Sequence, residues 1–320
     1  MLFRTPVPIL ESNDKLEIED LVFSIGSCFS SEISRLLEKG QIQTCHNPFG
    51  TLFNPFSIAK AIRAVHDSKM YTQEDLIQYQ DKIISLDHHS KYSSGFVHKT
   101  LEKINADIEV SNRFLQSTKW VVVTFGSAYV HEFLPRPQIV ANCHKLPGNY
   151  FKKRLLSAEE VKNSMQQTVE DLLDICPEGV KFLFTLSPVR HTKEGIVENQ
   201  RSKALLLSSM HEIVEQYEEV MYLPIYEIML DELRDYRFYK EDMIHPSAQA
   251  VNYIFEKFGN AYFSDATMEF IEDNFKIMRS LQHRPSQQED PKYLAFREAL
   301  NRKIEKQREK VNHPIFLDNL

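Results

Sequence analysis

The stretch FSIGSCFSSEI, residues 23–33, sets an apolar, β-prone run against a Gly-Ser-Cys triplet and then begins a helix. A strand that ends in glycine and turns at once into a helix places the next side chains at a helix N-terminus. Free backbone N–H groups there can receive a developing negative charge, which suits a nucleophile. Ser27 and Cys28 are the two candidates, with Ile33, Leu36 and Leu37 on the inner face of the helix. The plain alternative is a small capping residue beside a buried thiol.

Three further apolar runs resemble the first: WVVVTFG (120–126), KFLFTLS (181–187) and VMYLPI (220–225). Continuous runs of this kind suit strands covered on both faces. Between them lie helical patterns. Ser157 and Glu160 form a capping box ahead of Val161, Met165, Val169, Leu172 and Leu173, and 201–217 reads as another helix. Strand, helix, strand, helix, strand in succession predicts an α/β fold with right-handed crossovers and a parallel sheet. Ligands of such sheets bind beyond the carboxyl ends of the strands, where GSC, GSAYVHE and SPVRH would gather. Gly126, Arg190 and His191 stand at those ends, and Arg190 with His191 suits a substrate carboxylate or phosphate.

The composition, 42% hydrophobic and 26% charged over 320 residues, is that of an ordinary soluble chain with material for a sizeable core. The net charge of −7 argues against a nucleic-acid partner, and no run is long enough for a membrane span. The opening residues lack a basic segment followed by an apolar core, so the expectation is a cytoplasmic protein. Cys28, Cys45, Cys143 and Cys176 are too few and scattered for a disulfide framework. Cys45-His46 and Cys143-His144 raise the question of metal, but no CxxC or HxxxH spacing supports it, and neither metal nor cofactor is expected.

Near the far end of the pattern, Asp242 and His245 stand three apart, immediately before a helix that Pro246 and Ser247 can start. On a tight loop that spacing lets the carboxylate hold one ring nitrogen and leaves the other to face a nucleophile. The plain alternative is a helix cap. Arg234, Asp235 and Arg237 are expected as an ion-pair network beneath this loop.

These motifs together resemble the GSCFA family, whose N-terminal signature appears as Gly26-Ser27-Cys28-Phe29-Ser30, departing only in its last letter. The resemblance extends over most of residues 1–260, through NPFG, TFGSAYVH, NCHKLP, SPVRH, LRDYRFY and DMIHPS. That family is similar to a branch of the SGNH, or GDSL-type, hydrolases. This implies a flavodoxin-like three-layer α/β/α sandwich and an acyl-ester hydrolase or acyltransferase. On that likeness Asp242 and His245 fit the late Asp-x-x-His motif, and Gly50 fits the oxyanion-hole glycine. Gly-Asp-Ser laid on residues 26–28 puts Cys28 at the nucleophile position, while a one-residue shift would present Ser27. The oxyanion-hole Asn would fall near Ala128, where there is no amide. Asn142, with His144 beside it, is the substitute if the loop after residue 131 folds back. An acylated carbohydrate is the implied substrate. The rival reading is a catalytically silent small-molecule or carbohydrate-binding domain, favoured by the missing Asp and Asn. A metal-dependent enzyme built on the Cys-His pairs comes third.

Residues 54–118 give no clean period between a helix opened by Pro55 and a second helix near 100–118, and are read as an insertion at the site mouth. Asp87, His88 and His89 within it are read as a solvated polar loop rather than an ion site. The main domain is expected over 1–262, followed by a charged helical extension over 263–320. In that extension 282–291 serves as a linker, and Tyr293, Phe296, Leu300 and Ile304 form an apolar stripe. Oligomeric state is not legible.

Overall fold

A computed structural model describes residues 4–282 and 291–317. Strands β1 (Val22–Gly26), β2 (Thr44–His46), β5 (Trp120–Phe125), β9 (Lys181–Leu186) and β10 (Val220–Tyr222) form a parallel sheet in the order β2-β1-β5-β9-β10. Taking these five strands alone in chain order, the arrangement is 2-1-3-4-5, the flavodoxin-like doubly wound topology. Strand residues alternate cleanly between two cores. Phe23, Ile25, Val121, Val123, Phe125, Phe182 and Phe184 face one side, and Val22, Trp120, Val122 and Leu183 face the other. Helices must therefore cover both faces, because each carries large apolar side chains that water cannot be left to meet.

One face is covered by α2 (Pro55–His66), α3 (Val97–Leu115), α4 (Ala158–Ile175) and α5 (Ile196–Gln216), the other by α1 (Cys28–Lys39), α7 (Ala248–Tyr262) and α8 (Asp265–Leu281). The cap signals read from the sequence are realised. Asn54 accepts Ser57 N–H with Pro55 in the first turn, and Ser157 and Glu160 make the reciprocal capping box of α4. A short α6 (Ile225–Glu227), continued by a π turn over Ile228–Glu232, occupies the end of the run expected as strand.

Two features differ from the sequence reading. The stretch 54–118 is no mere mouth insertion: Ile58, Ile62 and Val65 of α2 and Ile104 and Ile108 of α3 belong to the core under β1 and β5. It also carries a small hairpin, β3 (Ile77–Tyr79) with β4 (Lys82–Ile84). Beyond β5 the chain builds an unforeseen antiparallel sheet from β6 (Tyr129–Phe133), β7 (Gln138–Val140) and β8 (Phe151–Leu155). The expected linker lies almost wholly outside the described residues. The charged helix after it, α9 (Pro291–Arg308), buries Leu300 and Ile304 but leaves Phe296 exposed. The tail then returns to the domain, with Phe316 buried and its N–H donating to Gln41 Oε1 at 2.9 Å. Among the described residues no helix is long and apolar enough to cross a membrane.

Candidate active site

Gly26 ends β1 at φ +137°, and a Cβ there would lie 2.1 Å from the Thr124 carbonyl oxygen, so only glycine lets the two central strands close at this edge. The strand order reverses between β1 and β5, which is where this topology opens its crevice. The chain then turns. Ser27 donates its N–H to Thr124 O at 3.0 Å, and its fully buried hydroxyl caps α1 by accepting Phe29 N–H at 3.3 Å. Cys28 follows as the first helical residue and is half-buried. The neighbouring hydroxyl and thiol thus separate by role: one turns inward as a cap, the other stands at the sheet edge. Burial raises the Cys28 thiol pKa, opposed by its own backbone N–H and by the Lys203 ammonium.

The turn is clamped by Asn47, the first residue of NPFG. Its Oδ1 accepts Gly26 N–H at 2.8 Å and its Nδ2 donates to Ser31 Oγ at 2.8 Å. Its own N–H donates to Ser24 O at 2.9 Å, and its φ of +45° lies where Asn is favoured among non-glycine residues. Gly50 closes the same turn at φ +82°, donating its N–H to Asn47 O at 2.7 Å. Gly126 donates to Phe53 O at 2.7 Å. Both glycines are candidates for receiving an oxyanion, but in this geometry the Gly50 N–H is engaged within its own turn and the Gly126 N–H by the Phe53 carbonyl of a separate segment.

The second half of the site is the loop before α7. Lys240 N–H donates to His245 O and Ser247 N–H to Phe238 O, both at 2.7 Å, which draws the loop tight. Within it Met243 takes φ +56°, and Asp242 Oδ1 accepts the N–H groups of Ile244 at 2.9 Å and His245 at 3.0 Å. The other oxygen, Oδ2, lies 2.7 Å from His245 Nδ1. The His245 and Ile244 N–H groups, with the ring, hold the Asp242 carboxyl well below the usual carboxylate range. The pair is no mere helix cap, because Ser247 caps α7 by accepting Ala250 N–H at 3.3 Å. Two contacts carry the loop toward the sheet edge: Lys240 Nζ lies 3.4 Å from Glu32 Oε1 on α1, and Arg190 N–H donates to Ile244 O at 3.2 Å.

Arg190 stacks its guanidinium 4.1 Å above the Tyr239 ring, with Tyr236 at 5.8 Å. It borders a cavity of about 390 Å³ that Gln200, Arg234, Tyr236 and Tyr239 also line. His191 packs edge-on against Phe53 at 5.3 Å, and its Nε2 is buried without a hydrogen-bond partner. Burial first, then the charge of Lys203, brings its pKa down to about 4, so the ring is neutral at physiological pH. The ion-pair network expected beneath the loop is not formed. Asp235 instead accepts Arg237 N–H at 2.8 Å, and the Arg237 guanidinium lies 4.8 Å over the Phe238 ring.

Asn142 and His144 belong to the side sheet's loop rather than to the β1 turn. Asn142 N–H donates to Leu86 O, Asn142 Oδ1 accepts His144 N–H at 2.8 Å, and His144 Nε2 lies 2.7 Å from Ser85 O. The expected solvated loop at Asp87, His88 and His89 is exposed only at His89; Asp87 is partly buried and His88 is interior. His88 stacks on Phe49 at 4.4 Å and is driven to about 3 by burial, while Asp87 pairs with Lys60 at 2.6 Å. Cys45 and His46 sit on β2, with His46 Nδ1 bonded 2.8 Å from Glu38 and the Cys45 thiol pushed by burial up to about 11. Among the described residues no group of three His, Cys, Asp or Glu is arranged to hold a metal ion.

Two residues of this neighbourhood were not singled out from the sequence. Within NPFG the sequence points to Gly50, whereas the clamp made by Asn47 depends on Gly26 and Ser31, which lie 21 and 16 residues away. Lys203 sits in RSKALLL, where nothing local marks it as buried.

Residues 21–258 match the GSCFA family. Among solved structures the chain is similar to a DUF4886 family protein from Bacteroides uniformis ATCC 8492, at 10% identity over 90% of this chain and 95% of that one, TM-score 0.40. It is also similar to a carbohydrate esterase family 3 from Talaromyces cellulolyticus, at 8% identity over 79% and 99%, TM-score 0.38. A Clostridium thermocellum family 3 carbohydrate esterase is 9% identical over 80% and 98%, TM-score 0.34. No curated protein matches. The matched span opens one residue before β1 and closes within α7, enclosing both the Gly-Ser-Cys turn and the Asp242–His245 loop, and the chain belongs to the GSCFA family.

Proposed function

We propose that this protein is an acyl-ester hydrolase or acyltransferase with Cys28 as nucleophile, His245 as general base and acid, and Asp242 as the group that orients the imidazole. The observation that carries the reading is the Asp242–His245 pair, fixed by two backbone N–H bonds on a loop tied through Lys240 to Glu32, one helical turn beyond Cys28. Holding Nδ1 against the carboxylate leaves Nε2 as the nitrogen that exchanges protons with the nucleophile. Cys28 Sγ attacks the acyl carbon as its proton passes to His245. The ester C–O bond then breaks, and the leaving oxygen takes that proton. Water or an acceptor hydroxyl, deprotonated by His245, attacks the thioester to give acid or new ester and to restore the thiol. With the two glycine N–H groups engaged, the N–H of Cys28 at the α1 N-terminus is the oxyanion donor in this scheme.

Ser27 is disfavoured as nucleophile because its buried hydroxyl accepts from Phe29 N–H as a cap. The polar cavity beside Arg190 and the exposed Tyr236 suits a hydroxyl-rich acceptor or leaving group, so acylated carbohydrates lead the substrate panel. One observation favours the second reading, a silent binding domain: burial holds the resting Cys28 thiol above its ordinary pKa. The test is turnover of p-nitrophenyl esters and acetylated saccharides by the parent, Cys28→Ala, Ser27→Ala and His245→Ala, together with an acyl-mimicking electrophile and peptide mass spectrometry. Loss of turnover in Cys28→Ala and His245→Ala, with label on Cys28, is expected. Label confined to Ser27 would move the nucleophile by one residue; neither label nor turnover across the panel would favour the binding domain.

A further inference from the structure

Lys203 on α5 is 2% exposed, and its Nζ donates to the Ser187 carbonyl at 2.6 Å. Among the described residues no carboxylate pairs with it; beyond that carbonyl the ammonium meets only the face of the Tyr226 ring, at 5.6 Å. A buried ammonium with so little compensation is costly, and it must lose its proton or find an anion.

The sheet register says where such an anion can form. Gly26, Thr124 and Thr185 stand level across β1, β5 and β9. Ser27 N–H donates to Thr124 O from one side of β5, and Ser187 N–H donates to Phe125 O from the other. The carbonyl that holds Lys203 and the turn that carries Cys28 therefore flank the end of one strand, about two strand spacings or roughly 10 Å apart. We propose that Lys203 is the fixed counter-charge of the Cys28 thiolate, a positioning residue that raises the population of the nucleophilic form. The proposal rests on the reading of Cys28 as nucleophile.

The electrostatics agree in both directions. Burial brings Lys203 down to about 7 and the Cys28 charge opposes that fall, while Lys203 in turn opposes the rise of the thiol. Glu32 on α1 works against the thiolate. The remaining groups at this edge are the neutral His191 after β9, which also feels Lys153, Lys193 and His245, the Asp242–His245 pair, and Tyr226 on α6. On ionisation below about pH 7 the thiol proton goes to His245 or solvent, and Lys203 keeps its own.

Iodoacetamide alkylation of Cys28, followed by mass spectrometry against pH on the full chain, reads the thiolate whether or not any ester is turned over. Failure of this inference and failure of the esterase reading are thereby distinguishable. Unit charges some 10 Å apart at an effective dielectric near 20 change a thiolate population about tenfold. Below the lowered Lys203 value, at about pH 6.5, where the ammonium is charged, Lys203→Met and Lys203→Gln are therefore expected to slow Cys28 alkylation about tenfold, with Cys143 unaffected. An unchanged Cys28 profile overturns the proposal. If neither variant folds, ¹⁵N-lysine NMR of the parent and of Cys28→Ala decides. Lys203 Nζ is expected to lose its proton at lower pH without the thiol, and equal midpoints overturn the proposal.

Discussion

Replacing Asn47 with Ala removes three things at once, and the structure allows each to be sized. Asn47 is 3% exposed and its Oδ1 is the partner of the buried Gly26 N–H, so the substitution orphans a donor at the strand end. An unpaired buried N–H costs about 1–3 kcal/mol. The bond from Nδ2 to the partly exposed Ser31 hydroxyl is worth less, about 0.5–1 kcal/mol. Alanine must also hold the φ of +45°, a left-handed conformation that costs it about 1 kcal/mol where Asn finds local hydrogen bonds. Together these give a loss of about 2.5–5 kcal/mol, a large share of the 5–15 kcal/mol typical of a domain. Urea unfolding of the parent, Asn47→Ala and Asn47→Gly measures it. Glycine accepts the backbone angle but not the hydrogen bonds, so it should recover about 1 kcal/mol of the alanine loss. A loss under about 1 kcal/mol in Asn47→Ala, or identical values for Ala and Gly, would refute the clamp.

Four other outcomes are expected. Asp242→Asn can still accept the Ile244 and His245 N–H bonds through its carbonyl, but its amide presents a donor to His245 Nδ1; turnover should fall about 10³–10⁴-fold with melting unchanged, and an activity near parental would remove Asp242 from the mechanism. Because the Asp242 carboxyl titrates below its unfolded value, its support of the loop is complete above the ordinary carboxylate range and fades only as pH falls toward the lowered folded value, so loop-dependent activity should not titrate through Asp242 between about pH 5 and 8. Gly50→Ala should destabilise by more than the roughly 1 kcal/mol of its positive φ, because the new Cβ would stand 2.1 Å from His89 Cβ; equal stability would show that the turn can relax. His66, on α2, has its pKa raised by Asp174 and then Asp67, so its contribution is full below about pH 6.5 and is lost as pH rises through the higher folded value; Asp174→Asn should lower the His66 midpoint in an NMR titration and flatten that dependence.

Much of the fold was legible because it is written in local periodicity. The runs at 21–26, 120–126 and 181–187 are apolar at consecutive positions since each strand feeds two cores, and Ser157 with Glu160 announces α4 through a bond pattern confined to one turn. Strand β2 escaped notice because three residues, Thr44 to His46, carry no period, and they are a strand only by pairing with Val22 to Ser24. The side sheet was missed for the same reason: Tyr129 meets Leu155 across a loop whose polar residues give no alternation. His88 looked solvated beside Asp87 and His89, yet it is enclosed by Phe49, Tyr71 and Tyr92, which come from three separate segments.

The sequence by itself determined the chemistry on offer: a thiol and a hydroxyl at a strand-to-helix turn, and an Asp-x-x-His ahead of a capped helix. Those are relations within a few residues, where backbone geometry follows from residue type. Only the tertiary structure decided how the groups are used. It buried the Ser27 hydroxyl as a cap, engaged the Gly50 and Gly126 N–H groups, and drew the His245 loop toward α1 through Lys240 and Glu32. It also set the Lys203 ammonium inside the protein with no carboxylate partner among the described residues. Such facts depend on contacts between residues tens to hundreds of positions apart. No local pattern encodes them, because burial and hydrogen-bond satisfaction are properties of the packed whole.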